Sequence, residues 1–341
     1  MISFERIEID NTTYENKNQI GEVNVFQTST WLNFLADVQN AEPVVAVVKS
    51  DGRFLGYFTG LISHILGLKI LGSPPKGPLT NFMGFNLLPD APKREILQAL
   101  PRFAFKELGC HYLEVIDPNL IPGNWEGLSY KVENRHHYGI DLTKSEEELL
   151  ANMENDGRRS IRKSIKNGVV IEEASDIGFA DDYYAQYEEV LAKHSLTPIY
   201  SLNSVRRLIE YLLPTGNLLL LRAISPEGLC IATGIFLALN KTAVFWGAAS
   251  WRQYQSLRPN EPIAWHGMKN MKARGIQLIH FGGGCEHYKE KLGAKELQLY
   301  RLMETKYKLL DSFLYPLMSP KSEEFRKYRN KALKMMGYYK D

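Results

Sequence analysis

The stretch Pro262–Ala294 constrains this chain more than any other. It contains Pro-Ile-Ala-Trp-His-Gly-Met-Lys, then Arg-Gly-Ile-Gln-Leu-Ile-His-Phe-Gly-Gly-Gly, then Tyr-Lys-Glu-Lys-Leu-Gly. Apolar residues recur first at helical spacing and then as a continuous run. This predicts an amphipathic helix over Pro262–Arg274, a stop at Gly275 and a buried strand over Ile276–Phe281. Gly282, Gly283 and Gly284 follow, and a backbone without Cβ atoms lets a ligand approach closely. The strand is therefore expected to open into a backbone site with Lys289 beside it, in a stretch also holding Glu286, His287, Glu290 and Lys291. Lysine there can stabilise charge developing on a carbonyl oxygen or hold a phosphate; it is equally the pattern of a solvated surface. The glycines are not a dinucleotide fingerprint, since G-x-G-x-x-G is absent and no helix plainly begins after them.

At 341 residues the chain exceeds the usual size of one hydrophobic core, so two domains are expected. The first half shows a hairpin, Pro43–Lys49 and Arg53–Ile65 around Ser50-Asp51-Gly52. A loop rich in proline and glycine (Gly72–Pro78), a helix near Ala91–Leu108 and a strand Tyr112–Ile116 come next. The second half repeats the plan. Strands are expected at Asn217–Ser225, Leu229–Leu239 and Thr242–Ala248, then the Pro262 helix and its strand. Residues 105–117 align in pattern with 271–283, which reads as an internal duplication with a whole domain as its period. Antiparallel strands followed by one helix and a further strand predict, in each half, a mixed and mostly antiparallel sheet flanked by helices. The boundary is placed near Leu142, giving 1–141 with about 314–341 as one domain and 142–313 as the other. A charged amphipathic helix at Pro320–Gly337 is expected to dock back as a brace. Ser145 or Thr143 before Glu146-Glu147-Glu148 predicts a helix N-cap.

A formal charge of +2 gives no global pull toward nucleic acid or acidic membranes, so any such contact is local. The three cysteines, Cys110, Cys230 and Cys285, form no disulfide framework, which suits a reducing cytoplasm. No signal peptide and no apolar run of the ~20 residues a membrane helix needs is seen. Eight histidines without i, i+4 pairs argue against a metal, and His136-His137 point to opposite faces of a strand. Arg158, Arg159, Arg162, Lys163 and Lys166 share one helical face, with Ile161 and Ile165 opposite. That face is either a cationic strip for phosphate or another polyanion, or simply a solvated helix surface. Trp246, Trp251, Tyr254 and Trp265 cluster around the third strand of the second half. Of the loop Ser250–Glu261, Tyr254 and Arg258 are the residues expected to face a ligand.

Taken in order, these motifs resemble the Fem-type aminoacyltransferases and related double-GNAT acyltransferases over nearly the full length. The matching residues are Thr30-Trp31-Leu32-Asn33-Phe34, Pro75-Lys76-Gly77-Pro78, Val115-Ile116-Asp117-Pro118 and Asp141-Leu142-Thr143. They continue with Arg159, Ile161-Arg162-Lys163, Gly168-Val169, Trp246-Gly247, Pro262 with Trp265, and Phe281-Gly282-Gly283 with Tyr288-Lys289. The resemblance implies two tandem GNAT-like domains around a shared cleft. It implies transfer of an aminoacyl or acyl group to an amine of a cell-envelope precursor, peptidoglycan or polysaccharide, by a cytoplasmic enzyme.

Tyr288-Lys289 then corresponds to the pair associated with aminoacyl transfer, and Lys76 to the acceptor side. Trp246, Tyr254, Arg258, Gly282, Gly283, Gly284, Arg159 and Arg162 are expected to bind substrate. No tightly bound cofactor is expected; aminoacyl-tRNA and acyl-CoA or an acyl-carrier protein stay open as donors. Lys76 stands where arginine is usual, losing a planar fork, and Tyr288 where phenylalanine is common. No Q/R-x-x-G-x-G/A pyrophosphate loop precedes the Pro262 helix. A non-catalytic GNAT-like binding module and an acyl-CoA-dependent N-acetyltransferase unrelated to the cell wall stand as the alternatives.

Overall fold

The computed structural model of the protein describes residues 1–9, 23–65, 67–193 and 195–311. The expected tail helix Pro320–Gly337 lies outside the described residues. The chain runs β1 (Ile2–Ile7), α1 (Ser29–Gln39), β2 (Glu42–Ser50), β3 (Arg53–Ile65), β4 (Leu68–Ser73), β5 (Gly84–Leu87), α2 (Lys93–Arg102), β6 (Tyr112–Ile116) and β7 (Lys131–Asp141). It continues α3 (Glu146–Asn152), α4 (Asn155–Lys166), β8 (Val170–Ala174), α5 (Phe179–Ala192), α6 (Leu202–Leu212), β9 (Leu218–Ile224), β10 (Cys230–Leu239) and β11 (Thr242–Ser250). The last elements are α7 (Asn260–Ala273), β12 (Leu278–Gly282), α8 (Glu286–Lys291) and β13 (Lys295–Thr305). The described residues form two compact units, one from Met1–Arg135 and from Leu299 onward, the other from His136–Gln298. The chain leaves the first unit within β7 and re-enters it within β13, whereas the sequence reading put the boundary near Leu142 and the return near residue 314.

In the first unit the strand order is β1-β2-β3-β4-β6-β13, with β5 added to β3. The β2–β3 hairpin forms where expected. Asp51 and Gly52 both take positive φ, 48° and 82°, the backbone twist that a two-residue turn between strands requires. β4 pairs with β6 in parallel and β6 with β13 antiparallel. Phe4, Val44, Phe58, Phe85, Ile96, Leu100 and Phe103 are buried between this sheet and α2. The helix expected to reach Leu108 changes winding after Arg102, and Phe103–Glu107 form a π-helical turn. On α1, Trp31 is fully buried, and its indole Nε1 donates to Thr80 Oγ1 at 3.0 Å. The loop around Lys76 lies against the same helix: a Cβ on Gly77 would sit 2.8 Å from Gln39 Nε2.

The second unit has the order β7-β12-β11-β10-β9-β8. Again a single parallel pair, β11–β12, is joined by a helix and bordered by antiparallel neighbours. The same sequence of pairings in both units is the mostly antiparallel mixed sheet expected. Phe236, Ile263, Ala264, Met268, Met271, Ile279 and Phe281 build the core under α7. Burying each large apolar side chain contributes about 1.5–3 kcal/mol, which fixes the helix over the sheet. Ser145 is the N-cap, as expected, accepting from Glu148 N; the Glu148 carboxylate in turn accepts from Ser145 N, which makes a capping box that was not foreseen.

Candidate active site

The parallel pair β11–β12 is short. Thr242, Ala243 and Val244 pair with Leu278, Ile279 and His280, and there the pairing ends. β11 continues to Ser250 on β10 alone, and Trp246 is the extra residue of a bulge between the Ile235–Gly247 and Phe236–Phe245 pairs. β12 has its own register shift against β7, between His280 and Gly282, so that Gly282 pairs with Tyr138. Beyond Val244 and His280 the two strands therefore present backbone groups outside a common ladder. Such groups need partners, and a bound acyl carbonyl or amine is one that fits.

The glycine run closes β12. Gly282 and Gly284 take φ of 67° and 73°. A Cβ on Gly283 would lie 2.9 Å from the His136 carbonyl oxygen. Cys285 follows at φ 50° without a side-chain cap, and α8 begins at Glu286. This helix corrects the sequence reading, which saw none after the glycines. Its residues are not a uniformly solvated surface either. Lys289 and Lys291 are buried, at 5% and 8% exposure, while Glu286, His287 and Glu290 are exposed.

Lys289 Nζ donates to the Gly282 carbonyl oxygen at 2.7 Å and lies 5.4 Å from the centre of the Tyr138 ring. Burial lowers its pKa to about 8, with Cys285 and Glu286 opposing that shift. Tyr288 hydroxyl donates to the Asn260 carbonyl oxygen at 3.1 Å, at the start of α7. Burial raises its pKa far above the ordinary phenol value, with Glu261 adding to it, so it serves as a neutral donor. Lys291 Nζ lies 2.6 Å from both Glu261 Oε1 and Asp156 Oδ2. Sequence reasoning missed this cluster. Glu261 falls at the end of the expected loop Ser250–Glu261, and only the fold shows it paired.

The other expected residues are dispersed. Trp246 is half-buried and packs on Tyr200, centroids 5.3 Å apart, at one end of a tyrosine array from α5. Tyr254 is half-buried against the core. Arg258 is exposed at φ 58°, and with Arg159 it helps hold the Asp156 carboxyl low, behind the larger effect of Lys291. Lys76 is half-buried in the first unit.

The cationic strip needs two corrections. Arg158 is half-buried and donates to the carbonyl oxygens of Leu150, Ala151 and Met153, capping the end of α3. Ile165, expected to face inward, is 66% exposed; α4 is seated by Gly157, Ser160, Ile161 and Ser164 instead. Arg159, Arg162, Lys163 and Lys166 remain on the surface.

His137 Nε2 and His280 Nδ1 lie 2.8 Å apart and both rings are buried. Burial lowers the His280 pKa to about 4. His136 is exposed beside Glu296, so the two neighbouring histidines do face opposite ways. Among the described residues there is no group of three or more side chains suited to a metal ion. No helix of the described residues is long and apolar enough to cross a membrane.

The free backbone N–H groups at a helix N-terminus such as that of α7 can receive a phosphate. Here the loop Trp251–Pro259 contains no glycine, and Glu261 brings a buried carboxylate into the first turn.

Residues 151–290 match the family described as acetyltransferase (GNAT) domain. No curated protein matches the chain by sequence. Among solved structures, FemX superposes with a TM-score of 0.72 at 13% identity, covering 91% of this chain and 99% of FemX. A tandem GNAT protein from the clavulanic acid biosynthesis pathway gives 0.51 at 11% identity, covering 89% and 98%. The C-terminal domain of a putative lysylphosphatidylglycerol synthetase from Agrobacterium fabrum gives 0.50 at 12%, covering 85% and 93%. Residues 151–290 thus carry an acetyltransferase (GNAT) domain, and the chain has the fold of FemX and of a tandem GNAT protein.

Proposed function

We propose that the protein transfers an aminoacyl or acyl group to an amine of a cell-envelope precursor, and that its donor is an ester-linked aminoacyl group carried on tRNA. The observation that supports this most is Lys289, a buried cation held at the glycine end of β12, next to the point where β11 and β12 part. A neutral acceptor amine attacks the acyl carbon, forming the C–N bond. Negative charge moves to the carbonyl oxygen, where the Lys289 ammonium and strand N–H groups stabilise it. The C–O bond of the ester then breaks as the amine loses its proton, and the freed hydroxyl carries that proton away. An ester leaves readily, so no covalent nucleophile is required, and positioning supplies much of the rate.

The tRNA donor is favoured by Glu261 at the start of α7 and by the exposed Arg159 and Arg162 on α4. The second reading, an acyl thioester donor, is favoured by the GNAT-domain match of residues 151–290. Mass spectrometry of reactions pairing the protein with charged tRNAs, acyl-CoAs or acyl-carrier proteins, and with amine-bearing envelope precursors, separates the two. Transfer from an acyl thioester alone would refute the tRNA donor. Transfer only to amines unrelated to the envelope would refute the acceptor.

A further inference from the structure

The geometry points to Lys291 as a positioning residue. Through Glu261 of α7 and Asp156 of α4 it sets the short helix that carries Lys289, and it joins that helix to the cationic face of α4. This inference rests on the reading of Lys289 given above.

α8 is six residues long and has no side-chain N-cap. An isolated helix of that length does not hold its shape in water, because the cost of its first turn is never recovered. Its conformation must come from tethers, and among the described residues three of its side chains supply them. Lys289 Nζ holds the Gly282 carbonyl, and Tyr288 hydroxyl holds the Asn260 carbonyl. At the far end, the Lys291 ammonium sits between two carboxylates, 2.6 Å from each. Its side chain is 10% exposed and that of Glu261 8%, so that pair is shielded from solvent, while Asp156 keeps one side in water. The backbone reinforces the join. Glu154 N donates to the Lys291 carbonyl oxygen at 3.1 Å, and a Cβ on Gly157 would lie 2.8 Å from that oxygen. The first turn of α4 therefore rests directly on the end of α8, with Arg159 and Arg162 exposed on the same helix.

Lys289 faces the Gly282 carbonyl of β12, the Tyr138 ring of β7, and Cys285 and Glu286 at the head of its own helix. Lys291 faces Glu261 and Asp156, and Asp156 also feels Arg258 and Arg159. Freeing the end of α8 admits water to Lys289 and lets its pKa rise toward the ordinary lysine value.

Lys291→Met alone strands the buried Glu261 carboxylate, so the test pairs it with Glu261→Gln, and Lys291→Arg serves as the conservative variant. Two quantities are read: the pH at which Lys289 is half-modified by an amine reagent, by peptide mass spectrometry, and the kcat and KM of transfer. In the double variant the half-modification pH should rise by about one unit or more. Its kcat should fall about tenfold with acceptor KM changed less than about twofold. Lys291→Arg should recover most of the kcat. A folded double variant with the Lys289 profile and kcat both unchanged overturns the inference. Should the double variant not fold, Glu261→Gln alone decides by the same Lys289 profile, a rise supporting the inference and no change overturning it. Normal turnover by Lys289→Met would sink the catalytic reading, while the modification profile would still decide the positioning role.

Discussion

Lys289 donates from Nζ to the carbonyl oxygen of Gly282 at 2.7 Å, across the turn that ends β12. The bond holds a desolvated ammonium at the mouth of a split strand pair, where its field is little screened by water. Lys289→Ala should lower turnover about tenfold or more with the fold intact, the loss expected for removing a charge that acts in the transition state. Steady-state rates with the true donor and acceptor, beside circular dichroism spectra, check this; an unaltered rate would falsify the assigned role.

The same residue sets a pH dependence. Its folded-state pKa is lowered by burial to about 8 from 10.5, so transfer should decline as pH passes upward through about 8. Stability moves the other way. Between pH 8 and 10.5 the unfolded chain binds more protons at this lysine than the folded one, so its contribution to stability rises with pH across that window. A pH series of thermal midpoints for the wild type and Lys289→Met, taken as a difference, isolates the effect. A flat difference would contradict it.

His280 governs the acid side. Its pKa is lowered by burial from 6.5 to about 4, so the neutral imidazole stabilises the fold above pH 6.5, and that stability is lost as pH falls toward 4. The group is nearly fully buried, and the loss is on the order of 3 kcal/mol. Asp117, raised by burial to about 6, opposes it, because the folded state holds that proton more tightly. Urea unfolding of His280→Asn and wild type at several pH values should show the steeper acid loss in the wild type. Parallel curves would rule this out.

Arg158 and Arg162 sit on one helix and should behave differently. Arg158→Ala removes the donors that cap α3 and should cost about 1–2 kcal/mol of stability with little effect on polyanion retention. Arg162→Glu should leave stability within about 0.5 kcal/mol and weaken tRNA retention in a salt-dependent manner. Chemical denaturation and filter binding at two salt concentrations distinguish them. Equal tRNA retention by both variants would remove α4 as a nucleic-acid contact.

Much of the fold was legible because its signals are local. The Asp51-Gly52 turn, the Ser145 N-cap, the apolar run ending at Phe281 and the glycines after it each depend on neighbours in sequence. The amphipathic period of α7 was visible for the same reason. β1, β7 and β13 were not foreseen, because their strand partners are far away in the chain and their residues mix charged with apolar side chains.

The site divides along the same line. The sequence by itself determined that a strand ends in glycine with a lysine close behind, since backbone freedom and residue order are properties of the chain. Only the tertiary structure decided that Lys289 and Lys291 are buried while Glu286, His287 and Glu290 are not, that Glu261 and Asp156 hold the second lysine, that Arg158 caps a helix, and that His137 meets His280. Burial and ion pairing depend on which distant segments exclude water from a group, and a charged residue carries no mark of that in its own neighbours.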